Sequence, residues 1–233
     1  MDQPLPTPVQ DFAQARDHMV DGQVRPNKVI DPRVIRAMRS LPRERFLPPH
    51  LASLAYADED VLLPRGRALM EPMVIARLVQ SARVRDGDRV LVVGAGPGYG
   101  AALMAACGGQ VTALEEDEAL LAIARRTLPE FAPGAALVAG PLAAGQAMGA
   151  PWNVILIEGA VRTIPPVIAL QLSPQGGRLV TVLTPGNAAS GGQGVLAEPG
   201  QHDAPNPVLR TQPVFDCTTP LLQPLLPVPA FQF

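Results

Sequence analysis

Arg89-Val90-Leu91-Val92-Val93-Gly94-Ala95-Gly96-Pro97-Gly98-Tyr99-Gly100-Ala101-Ala102-Leu103 decides the fold. A short β-branched run stops at glycines and restarts as an Ala-rich helix that continues to Cys107. A turn free of side chains lets backbone N–H groups approach a ligand at a strand's carboxyl end, where doubly wound sheets hold their ligands.

The pattern repeats downstream of this stretch. Val111 to Glu115 is predicted as a strand, Glu118 to Leu128 as a helix, Ala135 to Ala139 and Val154 to Ile157 as strands, Pro165 to Leu172 as a helix and Arg178 to Leu183 as another buried strand. Alternating strands and helices imply an α/β doubly wound, Rossmann-like sheet. Gly191 to Pro207 is rich in Gly and Pro, whereas Val208 to Phe215 is apolar enough for a strand, so two terminal strands would complete a mixed edge. Beyond Thr219 prolines dominate through Pro229, which predicts an ordered but irregular arm.

Upstream, Pro72 opens a helix with Val74, Ile75, Leu78 and Val79 on one face, ending near Arg85 to Asp88. Asp11 to Val20 is predicted as a short helix, and Asp31-Pro32 is an N-cap with proline in the first turn of another. Leu47 to Gly66 has no clear periodicity and is expected to be an irregular connection. The expected organisation is a helical and loop addition over 1–72 and a ligand-binding core with a proline-rich arm over 73–233, in one compact unit.

Composition narrows the function. The chain has 233 residues, 47% hydrophobic and 17% charged, with net charge -2. That gives no electrostatic footprint for nucleic acid or an anionic membrane, leaving a small or protein substrate. Two cysteines, Cys107 and Cys217, form neither a disulfide framework nor a metal motif. Met1 to Gln10 carries three prolines and lacks the basic and apolar regions of a secretory signal, and no apolar run approaches bilayer length. A cytoplasmic protein without a metal is expected.

The dinucleotide fingerprint G-x-G-x-x-G requires glycine at position 99, where Tyr99 stands. The observed G-x-G-x-G favours S-adenosylmethionine, although Gly100 leaves a looser dinucleotide site open. Glu115 ends the second strand about 20 residues beyond the loop, where a carboxylate can accept both ribose hydroxyls. Glu116 adjoins it, and Asp117 is expected to cap the following helix. His18, His50 and His202 lie in unlike segments and are expected to be surface or packing residues.

Leu41-Pro42-Arg43-Glu44-Arg45-Phe46-Leu47-Pro48, Ala55-Tyr56-Ala57-Asp58, Leu63-Pro64, Gly66 through Pro72, the glycine loop, Ile164-Pro165 and Gly176-Gly177-Arg178-Leu179-Val180 together resemble the protein-L-isoaspartate O-methyltransferase family. The resemblance runs from about Asp11 to Leu183. It implies a class I methyltransferase fold with a seven-stranded mixed sheet and an N-terminal helical addition, with S-adenosylmethionine lining Gly94, Ala95, Gly96, Gly98, Tyr99, Glu115, Glu116, Pro141 and Leu142.

Three departures stand out. The family's Thr-Ile-Ser-Gln-Pro segment, whose hydroxyls help seat the isoaspartyl carboxylate, is matched by Ala68-Leu69-Met70-Glu71-Pro72. Both hydroxyls are gone, and Glu71 would repel an anion if it faced the site. Arg65 and Arg67 are placed to compensate by pairing with a carboxylate. The family's Gly-Asp-Gly is matched by Gly140-Pro141-Leu142, which removes an adenine-binding carboxylate and leaves the Leu142 N–H as a substitute. Glu158 stands in Ile157-Glu158-Gly159-Ala160, at a sheet's carboxyl edge, and is expected within reach of the cofactor's sulfonium or amino-acid end, with a solvated loop carboxylate as the other reading.

The expected activity is S-adenosylmethionine-dependent carboxyl O-methylation of isoaspartyl residues or a related acid. A non-catalytic cofactor-binding or interaction protein and a nucleotide-dependent oxidoreductase remain as alternatives. No catalytic side chain stands out, which suits a carboxylate nucleophile already ionised at neutral pH.

Overall fold

The computed structural model describes residues 11–184, 186, 191–200 and 209–226. The lead to Gln10, His202 and the distal arm from Pro227 to Pro229 lie outside the described residues. The N-terminal part contains α1 (Phe12–Met19), which continues through a π-helical turn at Val20–Val24, and α2 (Pro32–Ser40). Asp11 caps α1 by accepting hydrogen bonds from the amides of Ala13 and Gln14, and Asp31 caps α2 by accepting from Arg33 N–H. Short 3-10 turns at Arg43–Phe46 and Pro49–Leu54 lead to the antiparallel hairpin β1 (Val61–Leu63) and β2 (Arg67–Leu69).

The core then runs α3 (Pro72–Ala82), β3 (Arg89–Val93), α4 (Tyr99–Ala106), β4 (Gln110–Glu115), α5 (Glu118–Phe131), β5 (Ala136–Ala139), β6 (Val154–Val161), α6 (Pro166–Ala169), β7 (Arg178–Leu183), β8 (Gly192–Pro199) and β9 (Leu209–Cys217). The seven-stranded sheet has the order β5-β4-β3-β6-β7-β8-β9. Its first five members are parallel, and β8 and β9 are antiparallel additions. The order reverses beside β3, so a crevice opens at the carboxyl ends of β3, β4 and β6.

Alternating side chains of each strand feed two cores. Val90 and Val92 of β3 join a large core with Val74, Leu78, Leu103 and Leu120, which also takes in Val24, Met38 and Phe46. Leu91 and Val93 face a smaller core with Ile155, Ile157, Trp152 and Leu222. The second face is therefore covered by the short α6, turns and the arm.

Several local expectations change. The connection read as irregular from Leu47 to Gly66 contains the Pro49–Leu54 turn and β1, because Leu63↔Arg67 pairing across Pro64–Gly66 closes a hairpin that has no periodicity long enough to detect. The Gly-rich run after Gly191 holds β8, where pairing on both edges outweighs weak propensity. Gly194 is used for space there, since an added Cβ would sit 2.3 Å from the Phe215 ring. The helix expected over Pro165 to Leu172 is confined to α6, and β6 continues past Ile157 to Val161, with Ala160 bridged to Leu221 of the arm.

Arg43 ties the N-terminal addition to the segment before α3. Its fully buried guanidinium donates to the carbonyls of Ala55 (2.6 Å), Leu69 (3.4 Å) and Met70 and lies 5.0 Å from the Tyr99 ring centroid. Arg43→Met should preserve bulk while leaving these carbonyls without their donor. Each buried orphan costs roughly 1–3 kcal/mol, so urea denaturation should show a loss of at least about 2 kcal/mol. An unchanged midpoint would contradict this role.

Candidate active site

The glycine loop adopts the backbone that its sequence demands, with Gly94, Gly96 and Gly98 at φ of 74°, 56° and 99°. Gly94 and Ala95 N–H both donate to Leu114 O at 3.0 Å, and Gly98 N–H donates to Ala95 O at 2.9 Å. A Cβ built on Gly96 would meet nothing closer than Gly94 O at 4.0 Å, so the loop is open outward at its centre.

Glu115 sits under this loop, 0% exposed. Its carboxylate accepts two hydrogen bonds from Arg67, both 2.8 Å, and others from the backbone amides of Gly96 (2.7 Å), Glu116 (2.9 Å) and Asp117 (2.9 Å). Asp117 caps α5 as expected, accepting from Ala119 and Leu120 N–H, and its other oxygen lies 3.2 Å from Arg65 Nε. Arg65 itself is exposed and holds the hairpin tip at φ 58°.

The hairpin delivers Arg67 to Glu115. Arg67 is 5% exposed and also donates to Gly94 O at 2.8 Å. Leu222 of the arm covers the same glycine, since a Cβ on Gly94 would lie 2.9 Å from Leu222 Cδ2 and 3.2 Å from Arg67 Nη2. A cleft of about 140 Å³ remains outside, bounded by Arg65, Arg67, Glu116, Asp117 and Pro224.

Other expected site residues are distributed as follows. The Leu142 amide does not face open space, because it donates to Glu116 Oε2 at 2.9 Å; Pro141 beside it is exposed. Tyr99 does not present its ring to the crevice but packs edge-on against Phe46, 5.2 Å between centroids, which follows from α4 turning that position toward the N-terminal addition. Met70 is buried, Ala68 half-buried. Glu71 is half-buried near Asp58 and Asp60, and burial with those charges pushes it up to about 6. His18 and His50 are exposed.

Glu158 is inside rather than solvated. It is 5% exposed, its Oε2 has no hydrogen-bond partner among the described residues, and a Cβ on Gly100 would come within 2.3 Å of that oxygen. Gly100 therefore serves to admit Glu158 beneath α4. Burial pushes the carboxyl up to about 8, against the attraction of Arg67 and Arg43 and with the repulsion of Glu115.

Sequence reasoning missed Arg43, Asp60 and Leu222. Asp60 accepts from Glu71 N–H at 2.8 Å and from the Thr219 hydroxyl at 3.1 Å, joining the pre-α3 segment to the arm. Arg43 lies in a quoted family motif, but nothing local marks it as buried; Leu222 lies in a proline-rich stretch without periodicity.

The family model for protein-L-isoaspartate(D-aspartate) O-methyltransferase matches residues 14–192. The chain belongs to that family. A protein-L-isoaspartate O-methyltransferase of Methylorubrum extorquens is 40% identical over 77% of this chain and 78% of its own length, and one of Koribacter versatilis is 38% identical over 72% and 76%. A solved protein-L-isoaspartate O-methyltransferase shares the fold at TM-score 0.71 and 22% identity, covering 88% of this chain and 65% of the solved one. A Plasmodium falciparum structure named for the same activity, in complex with S-adenosyl-L-homocysteine, gives TM-score 0.68 at 15% identity over 92% and 99%. Membership makes this chain an S-adenosylmethionine-dependent methyltransferase, and favours methyl transfer over the dinucleotide and non-catalytic readings.

The buried acid of this family member has a measurable consequence. Between its ordinary value of 4.5 and about 8, Glu158 keeps in the folded chain a proton that the unfolded chain has lost. Folding is therefore progressively disfavoured as pH rises through that window. Glu158→Gln cannot ionise, so its stability relative to the parent should rise steadily between about pH 5 and pH 8 in urea denaturation. Glu71 titrates in both chains and cancels in the difference. A difference independent of pH would contradict the placement.

Proposed function

We propose that this chain methylates the carboxylate of an isoaspartyl residue or a related acid in a protein or peptide, with S-adenosylmethionine held by Gly94 to Gly98 and Glu115 and with an altered substrate seat. The observation that carries this reading is the positive-φ glycine loop placed directly over a buried carboxylate at the ends of β3 and β4. The loop's open centre at Gly96 fits close approach of a ligand, and Glu115 is the acceptor type that ribose hydroxyls require. Ala95 and Glu116 would line the same approach.

The cofactor supplies a methyl group activated by a positively charged sulfur. The chain's task is alignment: holding nucleophile and methyl carbon in line and excluding water supplies roughly 7–11 kcal/mol for well-held reactants. The acceptor carboxylate is ionised at neutral pH and needs no general base. At the substrate end, Ala68 and Met70 offer no hydroxyl, and each missing hydrogen bond to a charged partner is typically worth about 1.5–3 kcal/mol. Arg65, exposed at the hairpin tip with its Nε on Asp117, keeps its terminal nitrogens open to an acid. Glu71 at its raised value of about 6 still carries charge at neutral pH and disfavours one.

No helix among the described residues is long and apolar enough to cross a membrane. With both cysteines free, we place the enzyme in the cytoplasm.

Gly96→Val forces a β-branched residue to φ 56° and fills the open centre, so calorimetry should show S-adenosylhomocysteine affinity lowered at least ~10-fold in a folded protein. Parent-like binding would place the cofactor elsewhere. On an isoaspartyl peptide the parent should turn over slowly, and Ala68→Thr with Met70→Ser and Glu71→Gln should raise kcat/KM at least ~10-fold. A parent matching the Methylorubrum relative, or a triple variant with no gain, would contradict the altered-seat reading.

A further inference from the structure

The Glu115 carboxylate has about four lone-pair sites, and two Arg67 N–H groups plus three backbone amides already occupy them. Ribose hydroxyls can bind there only if a donor leaves. The amides of Gly96, Glu116 and Asp117 are fixed by the loop and by the turn into α5, so the donor free to leave is the Arg67 side chain. The cavity that Glu158 lines beside the loop is closed in the same way. Between Ala68, Met70, Glu158, Gly159, Pro220 and Leu222 only about 10 Å³ remains, whereas ligand pockets typically offer ~300 Å³ or more. Leu222 fills that space, held by Leu222 N–H donating to Ala160 O at 2.8 Å and by Ala160 N–H donating to Pro220 O at 3.0 Å.

The geometry points to an internal gate: Arg67 and the arm around Leu222 lie across the cofactor crevice, and binding moves Arg67 from Glu115 to Glu158 as the arm withdraws. This rests on the cofactor site proposed above. A guanidinium freed in a buried place requires another anion, because an unpaired charge there is strongly disfavoured. Glu158 lines the same small cavity as Arg67, and its Oε2 lacks a hydrogen-bond partner among the described residues. It is thus a vacant acceptor beside a donor about to be displaced. Accepting the guanidinium also favours the ionised form of Glu158, which burial alone opposes.

S-adenosylhomocysteine is the appropriate probe, since its neutral sulfur removes any direct attraction between a sulfonium and Glu158. Calorimetry on the full chain should show Arg67→Gln binding it at least ~10-fold more tightly than the parent and Glu158→Gln binding more weakly. In the Arg67→Gln background, Glu158→Gln should have no further effect. A direct contact between Glu158 and the ligand would instead persist in the double variant and overturn the transfer. Parent and Arg67→Gln binding equally would overturn the gate. Hydrogen exchange on the parent needs no variant: saturating ligand should speed exchange at the Leu222 and Ala160 amides, and unchanged protection in a ligand-saturated parent would overturn arm withdrawal. Absence of binding in every variant, with the fold intact, would defeat the cofactor reading itself along with the gate.

Discussion

Through the carboxylate of Glu115 four pieces of chain meet: the end of β4 that bears it, the glycine loop through Gly96, the turn into α5 through Glu116 and Asp117, and the N-terminal hairpin through Arg67. A buried carboxylate loses its hydration, and a single ion pair does not reliably repay that loss. Five donors satisfy every lone pair, which is the condition under which such a charge is tolerated. The glycine loop keeps its conformation partly because its central amide is spoken for, and β2 is held at the crevice because Arg67 ends there.

A second polar assembly lies alongside. Arg43 binds the carbonyls of the segment that replaces the family's hydroxyl-bearing seat, and Glu158 fills the space that Gly100 leaves beneath α4. Two arginines and two carboxylates are therefore buried about the crevice, where the resemblance implied hydroxyls and a ligand. The backbone of the segment carrying Ala68 and Met70 is thus held by Arg43, while Arg67 next to it is held by Glu115.

The parallel half of the sheet was legible because strand and helix periods alternate cleanly from Arg89 to Leu183, and Asp117 was legible as a cap because its chemistry is local. The place of β8 within the Gly-rich run and the β1-β2 hairpin were not, because their stability comes from edges and packing partners far away in sequence. The arm's course past Ala160 was hidden for the same reason. At the site, Glu115 could be placed at a strand end by spacing, whereas its partner could not: nothing in a lone arginine at 67 tells whether it will point to solvent, substrate or a carboxylate. The tertiary placement of β2 decides that.

If the buried pair marks the cofactor's ribose position, a crystal structure with S-adenosylhomocysteine should test it most directly. Both ribose hydroxyls should lie within hydrogen-bond distance of the Glu115 carboxylate, with the Arg67 guanidinium moved off it and Leu222 withdrawn from Gly94. A ligand bound while Arg67 keeps both of its 2.8 Å contacts to Glu115, or bound away from the glycine loop, would contradict this placement.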